Sequence, residues 1–176
     1  MSGALFRAAA VLEGVTPLKR DCGAVCDAAC CRECDPQGGA SGMRLFPGET
    51  AAVGFTIADT PSGRLLLCGG RCAREERPLA CRLFPLFPYL GADGRIRAVY
   101  DPRAYRVCPL VRLRERVPLD RDFVRAVRRA GRILAAEETL RAYLRGQARE
   151  IDEFNGFLGL DTGRPPIARR RRTAGR

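Results

Sequence analysis

Apolar positions recur at helical spacing near both ends of the chain, and over short runs in its middle they fall in strand-forming segments. From Ser2 to Glu13, Leu5, Ala8, Ala9 and Leu12 share one face, predicting a short amphipathic helix that Gly14 and Pro17 end. In the C-terminal third, Phe123, Val127, Ala130, Ile133, Leu134, Leu140 and Leu144 repeat at helical period against a polar face of arginines. That pattern predicts a core-covering helix from Asp120 to about Arg145, with Asp120 as its N-cap and Gly146 as its interruption. Ile151, Phe154 and Leu158 predict a final short helix. Two hairpins are expected between these ends. One pairs Val53–Ala58 with Arg64–Cys68 across Thr60-Pro61-Ser62-Gly63. The other pairs Leu86–Leu90 with Arg95–Tyr100 across Ala92-Asp93-Gly94. The expected fold class is α+β: a small irregular cysteine-rich domain with short β-hairpins, followed by a long amphipathic C-terminal helix. One domain covers residues 1–160, with its helical part at 120–158, and residues 161–176 form a basic, disordered tail.

The cysteines change the picture most. There are nine. Cys22, Cys26, Cys30 and Cys34 have three residues between neighbours, Cys31 makes a doublet with Cys30, and Asp35-Pro36-Gln37-Gly38-Gly39 closes the segment as a loop. On a continuous helix the four would form a stripe, neighbours about 6 Å apart along the axis and the ends about 18 Å apart. At most two or three of them can then serve one centre unless the helix breaks, and Gly23 allows a break near its start. The remaining ligands must come from Cys68, Cys72, Cys81 and Cys108. Free cysteine is a comfortable small core residue, and two or three of the nine are expected to be that. Five within thirteen residues, however, point to metal ligation.

Composition narrows the chemistry further. The 176 residues contain no histidine, which removes Ser-His-Asp and Cys-His catalysis, His-ligated zinc hydrolysis and an imidazole general base. The length leaves little room for enzymes built on long βα repeats. Net charge is +11, from 31 Lys+Arg against 20 Asp+Glu. Lys19 is the single lysine, an arginine bias that a GC-rich genome or phosphate recognition explains equally. The run Arg169–Arg172 offers a grip for nucleic acid or anionic lipid, with a solvated, disordered terminus the favoured reading. The apolar run Ala4–Leu12 is interrupted by Arg7 and lacks a cleavage site, so no secretory leader is read. No stretch is apolar enough to span a membrane, so a cytoplasmic protein is expected, where dense thiols indicate metal or redox chemistry.

Cys68-Gly69-Gly70-Arg71-Cys72 followed by Arg77-Pro78-Leu79-Ala80-Cys81-Arg82-Leu83-Phe84-Pro85 resembles the signature of the YkgJ-type cysteine-cluster family. These are zinc- or iron-chelating domains related to the flagellin lysine-N-methylase FliB. The family opens with C-x2-C-x2-C-C and continues to RPxxCRxFP. This chain matches the Cys30-Cys31 doublet and the second block. It departs in its three-residue opening spacing and in adding Cys34. The similarity covers about residues 22–110. It implies a metal centre held by a subset of Cys22, Cys26, Cys30, Cys31, Cys34, Cys68, Cys72, Cys81 and Cys108.

Both Zn2+ and a [4Fe-4S] cluster accept four thiolates. The loose spacing and Cys108-Pro109 tilt the expectation slightly toward the cluster, and two zinc sites would also use the thiols. Arg77 and Arg82 are expected to offset thiolate charge, and Phe84, Leu86 and Phe87 to wall the site. Glu49 is expected at a surface turn, with an acceptor role around the metal as the alternative. The leading function is a metal-binding protein with a structural or redox centre and no catalytic residue of its own. The alternatives are a lysine methylase dependent on S-adenosylmethionine, implied by FliB, and an arginine-rich nucleic-acid binder with structural zinc. No Gly-rich cofactor loop and no aromatic stacking platform support these two.

Overall fold

The apolar stripe at the N-terminus forms α1, Gly3–Val11, which buries Ala4, Leu5 and Ala8, with Leu12 buried just beyond it. The computed structural model describes residues 3–32, 42–50, 55–61, 63–67, 72–112 and 117–160. Cys34, Cys68, the loop at 35–39 and the tail at 161–176 lie outside the described residues.

The cysteine-bearing segment next forms two single turns, α2 (Gly23–Cys26) and α3 (Ala29–Arg32). The segment is thus not one continuous helix, and its break lies beyond Gly23. Gly23 starts a turn, and the chain reverses at Asp27 and Ala28, both left-handed with φ of 50° and 52°. Neither glycine nor proline marks that site. A left-handed alanine is costly, and it persists here because the surrounding structure holds it.

Three antiparallel strands follow, β1 (Gly42–Arg44), β2 (Thr56–Thr60) and β3 (Gly63–Leu67), in the order β1-β3-β2. The expected β2–β3 hairpin is present with slightly shifted bounds. β1 is an addition, pairing Met43 with Leu66. A 3-10 turn at Arg74–Glu76 leads into α4, Leu79–Leu83. The second hairpin forms as expected, β4 (Leu86–Leu90) against β5 (Ile96–Tyr100), in register Leu86 to Tyr100 and Leu90 to Ile96. Two more single turns, α5 (Ala104–Val107) and α6 (Pro109–Arg112), precede the C-terminal helices.

Those helices are α7, Arg121–Ala135, and α8, Glu138–Phe157. The Asp120 carboxylate accepts from the Asp122 and Phe123 amides, as its N-cap role predicts. The single helix expected over 120–145 is corrected: it ends at Ala135, Glu137 is extended, and the next helix runs through Gly146 without interruption. The short helix expected around 151–158 is the end of α8. The Arg141 guanidinium explains part of the break. Its Nε donates to the Ala135 carbonyl at 2.6 Å, satisfying an acceptor that the end of α7 leaves free. The turn lets both apolar stripes face the β4–β5 hairpin.

The core lies where α7 and α8 meet that hairpin and α1 packs against α7. Leu5, Leu12, Leu86, Phe123, Leu134, Leu140 and Leu144 are fully buried there. Burying each such side chain stabilises the fold by roughly 1.5–3 kcal/mol. Gly131 lets α7 approach the hairpin closely. A Cβ at that position would lie 2.6 Å from Pro88 Cβ and 2.7 Å from Ile96 Cγ2. Among the described residues no helix is long and apolar enough to cross a membrane.

Candidate metal centre

The reversal at Asp27–Ala28 decides where the first thiols go. Beyond it α3 carries the consecutive Cys30 and Cys31, whose Sγ atoms lie 3.9 Å apart. The second group arrives on the stretch from Cys72 to α4, which carries Cys81. Cys22, Cys30, Cys31, Cys72 and Cys81 line one cavity of about 70 Å³. A single water needs about 10–15 Å³ by this measure. Met43, Leu66 and Phe84 supply apolar wall. Leu86 and Phe87, expected in that wall, belong to the buried hairpin core instead.

Two ties fix the elements that carry these cysteines. Arg77 meets Asp21, the residue before Cys22, as a two-pronged fork at 3.1 and 3.2 Å, and its Nη2 also donates to the Cys72 carbonyl at 3.4 Å. The guanidinium beside Asp21 holds that carboxyl below its ordinary range. Arg77 thus joins the two cysteine-bearing stretches. Arg82 works locally. Its Nε donates to the Arg77 carbonyl at 2.8 Å and its Nη2 to the Glu75 carbonyl at 2.7 Å, fixing the turn before α4.

Glu49 makes the second tie, and its placement corrects the expectation of a surface turn. It is 1% exposed. Its carboxylate accepts from the Phe46 amide at 2.9 Å and the Leu79 amide at 2.5 Å. Pro78 provides no side-chain cap to α4, so Glu49 caps that turn from thirty residues away and fixes the approach of Cys81. Burial raises its pKa, and the amides of Phe46, Leu79 and Ala80 oppose that rise.

The remaining described thiols sit elsewhere. Cys108 is buried, and Cys26 lines a separate outer groove beside Pro109. Both adjoin Cys22 electrostatically. Burial pushes the Cys22 thiol up to about 11 and Cys81 to about 12. Cys30 is raised first by its contact with Cys31 and then by burial. All three are therefore neutral near pH 7 in the absence of a cation. A bound cation inverts that preference and displaces protons. Among the described residues, no group of three or more Cys, Asp or Glu side chains is already drawn close enough to hold a metal ion.

Three contributors went unnoticed in the sequence. Asp21 pairs with Arg77. Arg74 lines the cavity while donating to the Val15 carbonyl. Arg103, locked to Asp101 with Nε–Oδ1 at 2.9 Å, places positive charge near Cys81. Asp21 and Arg77, which flank the two cysteine stretches with opposite charge, offered the one signal available in advance.

No family model matches the chain, and comparison with curated proteins and with solved structures finds no match either.

Proposed function

We propose that this chain is a metal-binding protein whose clustered cysteines hold a zinc ion or an iron–sulfur cluster in a structural or redox role. One observation carries the reading: thiols from two separate stretches, Cys22, Cys30 and Cys31 on one and Cys72 and Cys81 on the other, border a single cavity. Cys22, Cys30 and Cys81 also pack against the apolar core, yet all five cysteines line the same space. The Cys30–Cys31 sulfur separation of 3.9 Å compares with about 3.8 Å between sulfurs of a tetrahedral site with Zn–S near 2.3 Å. In a four-iron cluster each thiolate ligates its own iron, which needs a wider spread. The distance therefore favours one zinc ion, against the slight lean toward the cluster that sequence spacing suggested. Zinc would supply a redox-inert crosslink between the stretches and the positive charge that keeps the thiols ionised.

Substitution of single thiols tests this. Cys30→Ser and Cys81→Ser, purified without oxygen, are expected to lose bound metal, whereas Cys26→Ser, outside the cavity, keeps it. Should Cys81→Ser fail to fold, titration of the unaltered protein with a chelator, followed by hydrogen exchange, gives the same information. The expected result is lost protection in residues 22–32 and 72–83. Full metal content in both the Cys30 and Cys81 variants overturns the assignment.

A further inference from the structure

The helix α7 divides cleanly into two faces. Phe123, Val124, Val127, Ala130 and Leu134 are buried. Arg121, Arg125, Arg128, Arg129 and Arg132 lie on the other side. At 3.6 residues per turn these five fall within an arc of about 100°, centred about half a turn from the buried stripe. The only acid in the helix is Asp122, which pairs with Arg125 at 3.0 Å. Among the described residues, Arg128, Arg129 and Arg132 make no ion pair. General arginine richness does not account for the pattern, because α8 mixes Arg141, Arg145 and Arg149 with Glu138, Glu150, Asp152 and Glu153.

Physical chemistry selects among anionic partners. A helix that lies on a bilayer presents apolar side chains to the lipid, and here the apolar face is spent on the core. The outward face is arginine without lysine, and the guanidinium fork matches phosphate oxygens two at a time. From Arg121 to Arg132 the row spans about 16 Å, close to five nucleotide steps of about 3.4 Å along one strand. That face carries no Asn, Gln or aromatic side chain to read base edges. We propose that the arginine face of α7 docks on the phosphate backbone of nucleic acid without reading its sequence. The docking requires no metal at the thiol cavity and does not depend on the arginine run at 169–172.

Fluorescence anisotropy of the full chain with labelled mixed-sequence 20-mers of DNA and RNA tests this across a salt series. The logarithm of the binding constant should fall linearly with the logarithm of salt, with slope near −4 on duplex DNA, because about one counterion leaves per phosphate contacted. Scrambled sequences should bind within about twofold of one another, as backbone contacts dictate. The variant R128Q/R129Q/R132Q should flatten the slope by about 3 while its helix content and melting temperature stay unchanged, glutamine being a good helix former. Arg129→Gln alone should flatten it by about 1, and this serves if the triple variant folds poorly. Deleting residues 161–176 should leave the α7-dependent part intact. The proposal is overturned by a triple variant that binds like its parent, or by binding that vanishes with the tail deletion. Retention on phosphatidylserine vesicles or poly-glutamate with none on nucleic acid overturns it too.

Discussion

Around the β4–β5 hairpin, Phe123, Leu134, Leu140 and Leu144 are removed from solvent on helices of 15 and 20 residues. The stretches at 22–32 and 72–83 offer turns of three to five residues and half-buried thiols at Cys22, Cys30, Cys31, Cys72 and Cys81. Long amphipathic helices repay the ordering of their backbone through buried area. Single turns do not, since an isolated turn fixes several dihedrals for one hydrogen bond. The thiol half is therefore held by specific ties, the Asp21–Arg77 fork and the Glu49 cap. The difference teaches that stability and site geometry are separable here. Damage to the helical half should unfold the molecule, whereas damage to the thiol half should loosen the site first.

The contrast is sharpest in the core. Leu144→Ala or Phe123→Ala should destabilise the whole chain by about 3–5 kcal/mol through cavity formation, read as a lower urea midpoint with slope retained. Equal loss from an exposed position such as Phe157, which is 88% exposed, would break the comparison. Next comes Glu49→Gln. The amide keeps one acceptor but turns hydrogens toward backbone donors, costing about 1–3 kcal/mol for the unsatisfied buried groups. Its pH dependence has a definite sign. The folded pKa is raised above its ordinary 4.5, so the folded protein binds that proton more tightly than the unfolded chain. Stability from Glu49 is then fully present below about pH 4.5 and is lost as pH rises through the raised folded value. The gap between the parent and Glu49→Gln should narrow from pH 4.5 upward. A gap that widens would contradict the burial argument.

Gly131→Ala ranks third. Its methyl meets Pro88 and Ile96 within 2.7 Å, so overpacking should cost about 1–3 kcal/mol despite alanine's better helix propensity. The smallest effect is expected at Asp120→Ala, about 1 kcal/mol from the lost cap, with the thiol cavity unaffected. Urea titrations of the two variants rank them directly.

What could be foreseen follows from the range of the interactions. The β4–β5 hairpin, the first helix and the Asp120 cap are written in contiguous residues, and each appeared where its pattern placed it. The break at Ala136–Glu137 left no glycine or proline to mark it, because it is fixed by Arg141 reaching back and by the hairpin beneath. The reversal at Asp27–Ala28 is likewise imposed by tertiary structure on residues that prefer the right-handed form. β1 depends on Leu66, more than twenty residues away, and Glu49 on Leu79, thirty away. No local period carries such information. At the candidate site, the Cys30-Cys31 doublet and the block from Arg77 to Pro85 drew attention to Cys30, Cys31 and Cys81, three of the five cysteines that border one cavity. The helical stripe then tied Cys26 to them, and the reversal places Cys26 on a separate groove.

Metal analysis of protein purified without oxygen addresses the central claim most directly. About one zinc per chain in colourless protein, or iron with acid-labile sulfide in brown protein, is the predicted result, with the one-zinc outcome favoured by the Cys30–Cys31 spacing. Protein that is folded, carries no bound metal and takes none up when zinc or iron is supplied would contradict it.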